Sequence, residues 1–116
     1  MSQPGQAASW VATMQAADID SDFPSMVIVD DVEMVLCRSD DGFFALGNIC
    51  SHAYARLSDG HTEGNQIFCP LHQGSFDIRT GEAIASPCYE PVASYPTKVE
   101  DGVVFVCPAA RAAATP

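Results

Sequence analysis

Two short segments of this chain carry side chains that bind metals. Cys50-Ser51-His52 and Cys69-Pro70-Leu71-His72 stand sixteen residues apart and take two of the five cysteines and two of the three histidines. Thiolate sulfur and imidazole nitrogen are soft to borderline donors, so four of them in two clusters point to a metal centre. The order of the ligands bears on which one. Finger-type structural zinc sites present two cysteines together and then two histidines together. Here each cluster has one of each. A single tetrahedral ion permits that interleaving but gains nothing from it. A two-iron cluster does gain, because two loops lying side by side can give both thiolates to one iron and both imidazoles to the other.

The elements that must hold these clusters read as short strands and tight turns. Pro24–Asp30 and Val32–Ser39 are rich in β-formers and meet at an Asp-Asp turn, and Asp40-Asp41-Gly42 turns into Phe43–Leu46. Gln66–Cys69, Ser75–Ile78 and Val92–Val99 follow as strand candidates, and Glu100-Asp101-Gly102 is a hairpin signal leading into Val103–Cys107. No long window carries a helical stripe. Val11–Asp18 comes nearest, although Trp10–Met14 reads equally well as an edge strand. From Cys50 to Gly64 the chain is a polar run without apolar alternation, which reads as a loop. The fold class is all-β, an antiparallel sandwich or small barrel. Gly60, Gly64, Gly74 and Gly81 are expected to supply positive φ in turns.

Composition sets the outer limits. At 116 residues, 47% hydrophobic and 17% charged, the chain has the make-up of one folded domain and not of a disordered segment. Fifteen Asp and Glu against five Lys and Arg give a formal net charge of −10. That excess repels phosphate backbones and anionic lipid, so neither nucleic acid nor a membrane surface is expected as partner, whereas a basic protein is. The apolar stretches Met26–Val29 and Val103–Cys107 are too short to span a bilayer. The opening MSQPGQAASW has neither the basic nor the apolar part of a secretory signal, so a cytoplasmic location is expected. Disulfides are rare there, and an odd number of cysteines cannot all pair, so thiols or metal ligands are expected. The ends, 1–8 and 108–116, lack apolar periodicity and are expected to be mobile around a domain at 9–107 whose site loops span about 49–77.

The pattern Cys-x-His, sixteen residues, Cys-x-x-His, with CPLHQGSFD and RTGEA around its second half, resembles the Rieske proteins, most of all the small Rieske ferredoxins of bacterial aromatic-ring dioxygenases. The resemblance runs from about Trp10 to Val106. It implies an antiparallel β base with a two-loop subdomain holding one [2Fe-2S] cluster, Cys50 and Cys69 on the inner iron and His52 and His72 on the outer one. It also implies an electron carrier, not an enzyme, that works as a monomer between a flavin-containing, NAD(P)H-dependent ferredoxin reductase and a terminal oxygenase. Two thiolates neutralise a diferric sulfide-bridged core where four would leave it a dianion, so the potential should exceed the roughly −400 mV of plant-type ferredoxins. The high-potential relatives carry a disulfide between the two loops, and Tyr54 and Leu71 stand where its cysteines would be. They also use serine and tyrosine hydroxyls where this chain aligns Gly74 and Phe76, which donate no such bonds. Fewer hydrogen bonds to sulfur lower the potential, toward about −150 mV.

The remaining polar residues have simpler readings. His61 is expected to be solvated, Arg56 to pair locally with Asp59, and Cys37 and Cys107 to be small core residues. Cys88 sits in Ser86-Pro87-Cys88-Tyr89-Glu90-Pro91, which resembles the proline loop covering the cluster in that family, and packing is its expected role. With only His61 unassigned, no two-histidine, one-carboxylate set remains for a mononuclear iron. Two other functions fit less well: the small Rieske-like subunit of a nitrite reductase, and a zinc-stabilised binding module.

Overall fold

The structure, a computed structural model, describes residues 10–50, 55–70, 74–85 and 90–109. The expectations for 1–8, most of 108–116, Tyr54, Leu71 and Cys88 lie outside them. Eleven strands are described: β1 Val11–Gln15, β2 Ser25–Val29, β3 Val32–Ser39, β4 Gly42–Gly47, β5 His61–Glu63, β6 Gln66–Phe68, β7 Ser75–Asp77, β8 Ala83–Ala85, β9 Ser94–Tyr95, β10 Thr97–Glu100 and β11 Val103–Val106. They form three antiparallel sheets, ordered β1-β11-β10, β2-β3-β4-β9 and β5-β6-β7-β8. The only helical pieces among the described residues are 3-10 turns at Ala16–Asp18 and Leu57–Asp59.

Sequence chemistry explains the turns. Asp30 and Asp31 both have positive φ, 52° and 68°, as do Asp101 and Gly102, at 54° and 79°. Paired left-handed residues fit the two-residue hairpin whose twist matches the flanking strands, and Asp and Gly accept that region more readily than most. The segment read as Val92–Val99 is instead divided at Pro96, which offers no N–H to a ladder. The chain there leaves the second sheet as β9 and enters the first as β10. The carbonyl of Pro96 still accepts the N–H of Cys107 at 3.0 Å.

The second sheet is the middle layer, and β3 shows why. Met34, Val35, Leu36 and Cys37 are all buried although their side chains alternate across the sheet. Met34 and Leu36 join Ile19, Val29, Ala45, Val104 and Val106 in a core against the first sheet. Val35 and Cys37 join Leu46 in a second core with residues of the third sheet and its loops. A strand covered on both faces loses polar alternation and reads as a continuous apolar run. Each large apolar side chain fully buried this way contributes about 1.5–3 kcal/mol.

Two further expectations are corrected. The supposed loop before Gly64 contains β5, and β8 was not foreseen; each is three residues long and carries no alternation strong enough to read. The ambiguous start resolves into strand β1 followed by a 3-10 turn. Gly64 and Gly81 do have positive φ, but Gly60 does not: its φ is −95°. Its constraint is space, since a Cβ there would lie 2.0 Å from the carbonyl oxygen of Phe68.

Candidate metal centre

Cys50 and Cys69 start two loops of matching construction. The N–H of Cys50 donates to the carbonyl of Ala55 at 2.7 Å, and that of Cys69 to Gly74 at 2.8 Å. Each cysteine thus opens a turn closed five residues later. Both are buried, 0% and 2% exposed, in the same core as Leu57, Ile67, Phe76 and Val92. His52 and His72 fall inside the two closed turns in sequence but lie outside the described residues. The structure therefore places the two sulfur residues in one core and describes neither imidazole.

Different elements hold the two turns. The second grows out of a regular hairpin: Cys69 directly follows β6, Gly74 directly precedes β7, and Phe68 pairs with Ser75. The first has only an isolated bridge, Ile49 with Arg56, beneath it. Two further backbone bonds tie that neck down, Leu57 N–H to Asn48 carbonyl at 2.7 Å and Asn48 N–H to Glu33 carbonyl at 3.2 Å.

Arg56 does not pair chiefly with Asp59 as expected. Its guanidinium forms a fork on Glu33, Nε to Oε1 at 2.9 Å and Nη2 to Oε2 at 3.1 Å. The Arg56 hydrogen bond, and after it one from Asn48, holds the Glu33 carboxyl below its ordinary range; the same fork raises Arg56, with Asp59 a lesser influence. Asn48 is fully buried: its Nδ2 donates to Glu33 at 3.3 Å and Ser58 Oγ at 3.0 Å, while its Oδ1 accepts Ser58 N–H at 2.8 Å. Sequence reading missed Glu33 and Asn48, because nothing in sequence signals a partner on a distant strand. A second fork, Arg79 on Asp77, lowers the Asp77 carboxyl in the same way.

The surroundings suit a cationic group bound through sulfur. Burial alone pushes the Cys37 thiol up to about 12, on the same side of the sheet as Cys50 and Cys69. Thiolates in such an enclosure need a compensating cation, which an iron core supplies. Phe76 is fully buried in this core and offers no hydroxyl. His61 is half exposed as expected, yet it is not simply solvated: its ring stacks on Phe68 at 5.0 Å and its Nε2 meets Glu63 at 3.0 Å. His61, Glu63, Phe68, Cys69 and Pro70 line an open cleft of about 360 Å³. Cys37 and Cys107 are buried free thiols, as the sequence suggested.

A family model described as the Rieske [2Fe-2S] domain matches residues 9–96. The ferredoxin component of the naphthalene 1,2-dioxygenase system of Pseudomonas putida is 38% identical over 97 residues, 84% of this chain and 93% of that protein. The ferredoxin of carbazole 1,9a-dioxygenase from Nocardioides aromaticivorans IC177 superposes with a TM-score of 0.82 at 35% identity, covering 86% of this chain and 98% of that one. The chain is also similar to one in a complex of reduced oxygenase and oxidised ferredoxin in carbazole 1,9a-dioxygenase, with a TM-score of 0.81, 29% identity and 90% and 97% coverage.

Proposed function

Because the chain belongs to the Rieske [2Fe-2S] domain family, we propose that Cys50 and Cys69 hold one iron of a single cluster and His52 and His72 the other. The protein is the electron-carrying ferredoxin of a ring-hydroxylating dioxygenase system and not its catalytic oxygenase. It takes single electrons from a flavin-containing, NAD(P)H-dependent reductase and passes them to the terminal oxygenase, as a cytoplasmic monomer. The observation that carries the ligand reading is the matched pair of closed turns, each opened by a cysteine that enters the same core. When bound, the cluster supplies reversible one-electron chemistry. The chain's part is to bury both sulfurs, exclude water from them and leave the histidine positions on the turns.

Metal and sulfide analysis tests this directly. Two irons and two acid-labile sulfides per chain, with a reddish-brown colour that dithionite bleaches, are expected. A colourless protein holding one zinc would overturn the assignment. The absence of a hydroxyl at Phe76 supports a low potential, about −150 mV, in the Rieske range. His72→Cys adds a thiolate charge and should lower the midpoint further if the cluster assembles. A midpoint that rose would refute the charge argument.

A further inference from the structure

The two cysteine turns are alike in backbone closure but unequal in support. The second is clamped by the β6–β7 ladder, in which three residue pairs stand in register. The first rests on one isolated bridge, and Arg56 is itself a member of that bridge. Its side chain then crosses to β3 and forks onto Glu33. Asn48, two residues before Cys50, completes the link, binding Glu33 with one amide hydrogen and Ser58 with the other. The residues before and after the first turn are therefore fastened to one carboxylate on the middle sheet. A guanidinium fork fixes direction as well as distance, which a lysine cannot do.

From this asymmetry we infer that Glu33, Arg56 and Asn48 are positioning residues, a side-chain latch that holds the Cys50 turn against the middle sheet where the ladder beneath Cys69 has no counterpart. The inference rests on Cys50 and His52 being cluster ligands. The latch grips the neck of the first turn from both sides, through Asn48 before it and Arg56 after it. It limits how far the neck of the first turn can open, so its loss should show as faster escape of iron and altered ligand geometry, not chiefly as lost global stability. Exposed ion pairs add little to stability, and this one is half exposed on its arginine side.

The test uses the cluster-loaded protein and four variants: Arg56→Ala, Arg56→Lys, Glu33→Ala and Val104→Ala. Val104 is fully buried in the other core, so its truncation lowers thermal stability without touching the latch. Iron release to a ferrous chelator after reduction should quicken about tenfold in Arg56→Ala and Glu33→Ala, the lower end of what outer partners of metal ligands usually contribute. Arg56→Lys should fall between, and Val104→Ala should release iron at the native rate at 25 °C despite its lower Tm. The electron paramagnetic resonance lines of the reduced alanine variants should broaden or shift, and hydrogen exchange in the peptide 48–58 should quicken in both. Native release rates and native exchange in Arg56→Ala would overturn the latch, as would equal acceleration by Val104→Ala. Because exchange reads the neck directly, it judges the latch even if iron analysis shows the four ligands to be misassigned.

Discussion

At the scale of single residues, burial sets the chemistry of the described cysteines. Cys37 lies wholly inside the core, and its thiol, pushed up to about 12, stays protonated at any ordinary pH. It should resist iodoacetamide at pH 8 in the folded protein and become labelled once the chain is unfolded, as peptide mapping by mass spectrometry would show. Labelling of the native protein at Cys37 would mean that the middle sheet opens. The ligand candidates were legible because a metal-binding pattern repeats residue types at fixed, local spacing. Arg56 shows the opposite case. Its nearest carboxylate in sequence, Asp59, was the natural guess, but Glu33 on β3 holds it across a separation of 23 positions. Such a partner depends on the register between strands, which one sequence does not state.

At the scale of elements, strands with strong β-formers or marked turns were readable, and very short ones were not. β2, β3, β4 and β11 follow from their Val, Ile, Met and Phe content and from Asp or Gly at the corners. β5 and β8 exist because neighbours pair with them; His61-Thr62-Glu63 has no intrinsic strand signal. Val92–Val99 was read as one strand although Pro96 marks the break, a signal present but underweighted. Gly60 shows how one element constrains another. The turn before β5 passes so near β6 that only a hydrogen fits on that face. Gly60→Ala should therefore cost about 1–3 kcal/mol through overcrowding. Thermal unfolding of the cluster-loaded protein measures it, and an unchanged Tm would show that the two elements can part at little cost.

At the scale of the whole molecule, charge and layering matter most. A formal net charge of −10 creates a long-range field that would attract a basic partner and weakens with ionic strength. The rate of electron delivery to an oxygenase with a basic docking face should fall as salt rises from low to physiological concentration, in stopped-flow measurements below saturation. A rate indifferent to salt would leave the acidic surface with a solvating role only. The β class of the fold was plain from the sequence, but the three-layer order was not, since the same strands could have closed into one barrel. That layering also makes β3 intolerant of a frame shift. Deleting one residue from it would send Met34 and Leu36 toward the cysteines and Val35 and Cys37 toward the outer sheet. Bulkier groups would then crowd the compartment that must receive a cofactor, while the opposite compartment was left underfilled. A single lost codon would thus undo both halves of the molecule at once.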